Sequence, residues 1–180
     1  GRMIKAIDEE GAVTAYTYDE NGRLTQMTNA LGFSTSFEYD AMDRVVKVTD
    51  AKGNATTYTY DAVGNVSTET NAKGVTTSYV YDANYNLTSL TDAAGTSTYL
   101  YDAMDRVVGQ TDRRGNTQWF RYDAIGRITA VRDKNGNLTE YIYDGNGNIV
   151  KTIDALGTEA VFTYNKNDQL ISMDLHRMDT

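Results

Sequence analysis

The chain has 180 residues, a formal net charge of −8, a pI near 4.6, and neither cysteine nor proline. Without cysteine there is no disulfide and no thiolate metal site, and the acidic balance disfavours a phosphate backbone as partner. No apolar stretch approaches the ~18 residues of a membrane span.

The chain opens on Gly1-Arg2-Met3, in register with Gly22-Arg23-Leu24, and is expected to be a piece of a longer repeat array. No basic-then-apolar start suggests a signal peptide. From there the dipeptide Tyr-Asp recurs at Tyr18-Asp19, Tyr39-Asp40, Tyr60-Asp61, Tyr81-Asp82, Tyr101-Asp102, Tyr122-Asp123 and Tyr143-Asp144, with Tyr164-Asn165 as a degenerate last copy. The interval is constant, as from Tyr18 to Tyr39 and from Tyr39 to Tyr60, except that the step from Tyr81 to Tyr101 is shorter by one. Such self-similarity is the signature of a repeat architecture.

Within one unit, Asp61-Ala62-Val63-Gly64 and Asn71-Ala72-Lys73-Gly74 both place Asp or Asn first and Gly fourth. Both fit a type I turn whose first side chain caps backbone N–H groups, followed by glycine at positive φ. The second turn keeps its glycine at Gly11, Gly32, Gly53, Gly74, Gly95, Gly115, Gly136 and Gly157. The first keeps Gly22, Gly64, Gly126 and Gly147 but has Asp43, Tyr85, Asp105 and Asp168 elsewhere. Asp tolerates left-handed backbone moderately and Tyr85 poorly, so the turn at Tyr85 is expected to be strained or of another type.

The segments between turns have strand length, and tight turns force antiparallel neighbours. The fold class is therefore all-β, an antiparallel meander of tandem ~21-residue β-hairpin repeats, about 17 strands in all. So wide a ribbon, roughly 80 Å if flat, is expected to curl or spiral. A parallel solenoid is the competing architecture, and the chain-reversing turns oppose it. A second aromatic precedes each Tyr by two positions (Tyr16, Phe37, Tyr58, Tyr79, Tyr99, Phe120, Tyr141, Phe162), which puts both rings on one face. An aliphatic set runs Met3, Leu24, Val45, Val66, Leu87, Val107, Ile128, Ile149, Leu170. These stripes read as packing residues. The set Thr25, Val46, Ser67, Thr88, Val108, Thr129, Val150 and Ile171 shares one register and is uncharged. The one-residue deletion near Gly95 should fall in its turn or in a bulge, since inside a paired strand it would flip every later side chain.

The motifs Thr49-Asp50-Ala51-Lys52-Gly53-Asn54 and Asp61-Ala62-Val63-Gly64-Asn65 resemble the YD repeats of Rhs proteins. Similar repeats occur in the C subunits of insecticidal toxin complexes, wall-associated polymorphic toxins and teneurins. The resemblance covers residues 1–173 as about eight repeats, with 174–180 as a degenerate tail. It implies a β-ribbon wound into a hollow shell, enclosing a toxin in bacterial members and supporting adhesion in teneurins. It also implies a secreted or cell-surface parent. The partners implied are the rest of the parent shell and an enclosed polypeptide cargo, with self-association through exposed strand edges. Binding of carbohydrate by the repeats is the alternative function, and glycans the alternative partner. No cleavage residue of the family can be carried over, because those lie outside the repeats.

The residues argue against an enzyme. Repeated Asp side chains sit in equivalent turns, whereas glycoside cleavage needs two carboxylates with unlike environments. A serine triad needs a histidine base, and His176 lies beyond the clear repeats. Asp133 and Asp144 begin calcium-loop-like runs, but position 12 holds Asp144 and Ala155 where a Glu is required. The reading thus has no catalytic residue, no metal and no cofactor. Trp119 is the candidate glycan contact, with cross-strand packing as its other reading. Arg44, Arg106 and Arg127 follow the first turn and read as solvated charges.

Overall fold

The computed structural model describes residues 4–177. Gly1, Arg2 and Met3, the first of the aliphatic set, lie outside the described residues. The rest fall into two compact units. One reaches to Tyr81 and includes Leu90–Ala94; the other comprises Asp82–Ser89 and the residues from Gly95 onward.

The first unit carries β1 (Lys5–Ile7), β2 (Val13–Tyr18), β3 (Leu24–Thr28), β4 (Ser34–Tyr39), β5 (Val45–Thr49), β6 (Ala55–Tyr60), β7 (Val66–Thr70) and β8 (Thr76–Tyr81). β9 (Leu87–Asp92) is divided between the units. The second carries β10 (Gly95–Tyr101), β11 (Val107–Thr111), β12 (Thr117–Tyr122), β13 (Ile128–Arg132), β14 (Leu138–Tyr143), β15 (Ile149–Ile153), β16 (Glu159–Tyr164) and β17 (Leu170–His176). Within each unit successive strands pair antiparallel, and the described residues contain no helix. The meander is therefore present and the parallel solenoid is not. β17 runs past Met173, so Asp174, Leu175 and His176 pair with Val161, Ala160 and Glu159.

Both turns of a repeat have one geometry. In the Tyr-Asp turn at Asp61, Gly64 N–H donates to Asp61 O (3.2 Å) and Asp61 N–H to Asn65 O (2.9 Å). In the turn at Asn71 the matching bonds are Gly74 to Asn71 O (2.8 Å) and Asn71 to Val75 O (3.0 Å). This is a type I turn closed by a left-handed fourth residue. Glycine serves there because L side chains crowd the following carbonyl at positive φ. Gly64 has φ 101°, and Asp43, Tyr85, Asp105 and Asp168 hold the same region at 58–68°. The Tyr85 turn keeps the common hydrogen bonds, Tyr85 N–H to Asp82 O (3.1 Å) and Asp82 N–H to Asn86 O (3.0 Å). It is thus strained rather than of another type.

The short step from Tyr81 to Tyr101 is absorbed in the turn. β9 ends at Asp92 and β10 begins at Gly95, leaving Ala93 and Ala94 between strands where other second turns leave a longer connection, such as 50–54. Gly95 accommodates this with φ 124°.

Strict period two fails in one strand of seven repeats. Tyr60 pairs with Val66 and Thr59 with Thr68, so Ser67 is an extra residue. The same shift skips Thr25, Val46, Val108, Thr129, Val150 and Ile171. The shared register read from the sequence is a row of β-bulges. Ser67 and Thr68 both hydrogen-bond the Thr59 hydroxyl, at 2.8 and 2.6 Å, so they lie on one face. Val66 and Glu69, directly opposite Tyr60 and Tyr58, share the tyrosine face.

Each unit is a single layer. Among the described residues Ala130, in the second unit, is the only buried hydrophobic side chain, at 4% exposure. Stability must come from neighbour-to-neighbour links, the expectation for a repeat array. Replacing the strained Tyr85 by Gly should raise stability by about 1 kcal/mol, the αL penalty less the entropy gained by the unfolded chain. Urea unfolding checks this, with an increased midpoint at unchanged slope as the expected result.

Candidate functional site

The signature residues lie at the turns, and side chains from the Tyr-Asp turns at Asp19, Asp40, Asp82, Asp102, Asp123 and Asp144 reach the following repeat. The starting point is the turn carboxylate. Asp40 Oδ1 accepts N–H bonds from Met42 (2.9 Å) and Arg44 (3.0 Å), and Oδ2 takes the Arg44 Nε (2.8 Å). Asp102 and Asp123 hold Arg106 and Arg127 in the same way, with Nε–Oδ2 distances of 2.7 and 2.6 Å. Asp19 takes the backbone N–H and Nε of Arg23 likewise (2.9 and 2.6 Å).

So oriented, each guanidinium lies over the tyrosine of the following repeat. Arg23 is 5.0 Å from the Tyr39 ring centroid, Arg44 4.5 Å from Tyr60, Arg106 4.7 Å from Tyr122 and Arg127 4.5 Å from Tyr143. These are cation–π distances. Nη1 of Arg23, Arg106 and Arg127 also donates to the carbonyl of the next turn aspartate, at 2.9–3.2 Å. Arg44, Arg106 and Arg127, expected to be solvated charges, are therefore inter-repeat clasps, with side chains only 26–32% exposed. The expectation failed because their partners stand most of a repeat further along the chain.

The tyrosine completes the clasp. The hydroxyl of Tyr39 donates to Leu24 O (2.8 Å), Tyr60 to Val45 O (2.6 Å), Tyr122 to Val107 O (2.8 Å) and Tyr143 to Ile128 O (2.7 Å). Tyr101 and Tyr164 reach Leu87 O and Ile149 O in the same way, both at 2.9 Å. The repeated Tyr is thus a hook onto the preceding repeat, and the repeated Asp is the socket of its turn.

The Asp residues that replace glycine have a partner role. Asp43 accepts from Arg23 Nη1 (2.8 Å), Asp105 from Asn86 Nδ2 (2.7 Å) and Asn84 Nδ2 (2.9 Å), and Asp168 from Asn148 Nδ2 (2.8 Å) and Asn146 Nδ2 (2.9 Å). Each left-handed Asp receives a side chain from the previous Tyr-Asp turn, which offsets its backbone strain. The signal in the sequence was an Arg or Asn standing close to one full repeat before every such Asp.

The opposite edge is held differently. Hydroxyl pairs Thr28–Ser34 (2.8 Å), Thr70–Thr76 (2.8 Å) and Thr111–Thr117 (2.9 Å) close its turns. Lys134 Nζ bonds Asp112 Oδ2 (2.8 Å) on the neighbouring turn. The calcium-like runs are also turn caps: Asp133 Oδ1 accepts from Asn135 and Asn137, and Asp144 Oδ1 from Asn146 and Asn148. No cluster of three potential metal ligands occurs among the described residues. His176 is in β17, opposite Glu159.

Trp119 lies on the face away from the tyrosines, 44% exposed. Its ring packs over Gly109, its partner across β11 and β12; a Cβ there would come within 2.9 Å of Cζ3. Packing and exposure are thus both properties of this side chain.

Tandem two-stranded units, clipped to their neighbours through Tyr, Asp and Arg or Asn, define a β-hairpin repeat array. The RHS Repeat family matches residues 1–33, 18–55, 39–76, 60–97, 81–117 and 122–159. The chain belongs to that family. No curated protein matches it by sequence. Among solved structures it is similar to the crystal structure of TcdB2-TccC3-Cdc42 (TM-score 0.65, 13% identity, covering 93% of this chain and 11% of that one). It is also similar to the Photorhabdus luminescens Tc holotoxin pore (TM-score 0.63, 14% identity, covering 96% and 12%). A third is TcdB2-TccC3 without its hypervariable C-terminal region (TM-score 0.54, 15% identity, covering 93% and 13%). The chain therefore spans between a tenth and a seventh of the length of these chains, and the likeness is one of fold.

Two outcomes follow from the clasp. Asp105→Gly should be less favourable with Asn86 present than in an Asn86→Ala background, with a coupling of about 0.5–1 kcal/mol in a double-mutant unfolding cycle. The second concerns acid. Backbone and side-chain bonds from Arg44 hold the Asp40 carboxyl below its ordinary 3.8, and the Arg106 and Arg127 side chains do so for Asp102 and Asp123. A depressed folded pKa adds stability above the unfolded value and loses it as pH falls through the folded one. The melting temperature followed by circular dichroism should therefore drop steeply only below about pH 4, and less steeply in Asp123→Asn.

Proposed function

We propose that the chain is a length of wall in an Rhs-type β-shell, a structural scaffold that encloses or presents a toxin or other polypeptide. The observation that carries this reading is the clasp. Its ring, carbonyl and Asn–Asp contacts run between adjacent repeats, so that chemistry is spent on keeping neighbouring hairpins together. Family membership supports it, as does the fold shared with TcdB2-TccC3 chains. The parent acts without catalysis by these repeats, at the cell surface or after secretion. Its partners are the remainder of the shell and the enclosed segment.

A ribbon of this kind works by exclusion. Backbone bonds close the gaps between strands, and the edge clasps keep the hairpins from parting, so a protease outside has no route between them. The parent protein should protect its enclosed segment from added protease. Replacing Arg106 and Arg127 together by Ala should expose that segment to cleavage, read by mass spectrometry of the fragments. Equal cleavage with intact clasps would overturn the reading.

A further inference from the structure

In a repeat array each position has its own controls, so the places where one repeat departs from the others mark what that repeat does beyond holding its neighbours. The departures here converge. The position of Trp119 is Ala15, Ser36, Thr57, Ser78 and Thr98 in the preceding repeats and Glu140 and Val161 in the following ones, so an aromatic stands there once. The position of Arg132 is Thr28, Thr49, Thr70, Thr91 and Thr111 in the preceding repeats and Ile153 and Asp174 in the following ones, so a cation stands there once. Pairing puts these substitutions together on the face away from the tyrosines: Gly109 opposite Trp119, Trp119 opposite Arg132, Arg121 opposite Ala130.

The result is a notch. Trp119 leans over Gly109, which has no side chain to stop it. On its other side a hollow of about 300 Å³ opens between Trp119, Arg121, Arg132 and Leu138, with Ala130 among its lining. Arg121 is tied to Glu140 (2.7 Å), which leaves the exposed guanidinium of Arg132 as the net charge of the site. One wall thus offers indole and leucine surface, and the other a cation.

We propose that this notch docks an extended polypeptide segment carrying an acidic residue beside an apolar one. It takes the partner's class from the enclosed-polypeptide reading above. The apolar side chain lies against Trp119 and Leu138, and the carboxylate meets Arg132, whose planar fork matches it. A neutral sugar would need acceptors as well as donors, and the one acidic side chain opposite the notch, Glu140, is taken by Arg121.

Trp119 is the chain's single tryptophan and so reports on its own site. The 180-residue chain would be titrated with a capped Gly/Ser peptide centred on Leu-Asp-Leu, the same peptide with Leu-Lys-Leu, and a uronic-acid oligosaccharide. The expected result is a saturable change of tryptophan emission with the aspartyl peptide, at least about tenfold weaker with the lysyl one. Arg132→Thr, which restores the residue of earlier repeats, should weaken binding by about the same factor at unchanged melting temperature. Arg114→Gln, at an exposed turn away from the notch, should leave binding unchanged. No saturable response, equal response to both peptides, or response to the uronate alone would overturn the site. Failure here with protection intact in the parent leaves the enclosure reading standing without the notch. Binding here without protection there overturns enclosure and keeps the notch as a peptide site.

Discussion

A sheet one layer thick has no interior in which to bury an error, so its turns must be right one at a time. The interaction on which the rest depends is the carboxylate of the turn aspartate. One oxygen accepts the backbone N–H groups of the third and fifth residues, as Asp40 does for Met42 and Arg44. That fixes where the fifth side chain starts. The other oxygen then grips its head, and only a side chain held at both ends can be aimed at the next tyrosine. Remove the first contact and the clasp has no origin. The carboxylate is thus at once a local cap and the root of a longer-range link.

The length of the fifth residue decides the kind of link. Arginine spans the gap to a ring and a carbonyl on the following repeat, as Arg106 does with Tyr122 and Asp123. Asparagine is too short for that. Asn86 and Asn148 instead serve their own turn aspartate and the left-handed Asp of the following turn. Two chemistries therefore satisfy one geometric demand, and a repeat can change type when its neighbour supplies the matching group. The left-handed Asp is permitted by that neighbour, since its strain of roughly 1–2 kcal/mol is offset across the repeat boundary. Tyr85 has no comparable compensation in the hydrogen bonds of its turn.

What was legible in the sequence was whatever repeats over a short span. Turn type, glycine positions, strand number and antiparallel order all follow from Asp-x-x-Gly spacing and tight reversal, and each is present. The bulges were not legible, because Ser67 and its equivalents look like ordinary strand residues. Their extra status is defined only by the partner strand, where Thr59 skips from one to the next. The clasp was hidden for the same reason. An arginine after a turn in an acidic chain is ambiguous until its ring partner, in the following repeat, is brought beside it. Trp119 was half legible: the residue was singled out, but its setting depends on Gly109, Ala130 and Arg132 in other strands.

Nearest-neighbour bonding also explains how the array tolerates irregularity. In a domain with a shared core, a one-residue deletion would disturb packing far from its site. Here the short turn at Ala93–Ala94 is followed at once by an ordinary repeat, with Tyr101 hooked to Leu87 and Asp102 gripping Arg106. Nothing downstream has to register against a common interior. The same independence lets one repeat carry Trp119 and Arg132 where the preceding repeats carry small or hydroxyl residues and the following ones carry Glu140 and Ile153, because the tyrosine face and the edges hold the strands while the other face is free to vary. An array built this way can be long and locally altered, because each joint depends only on the hairpins beside it.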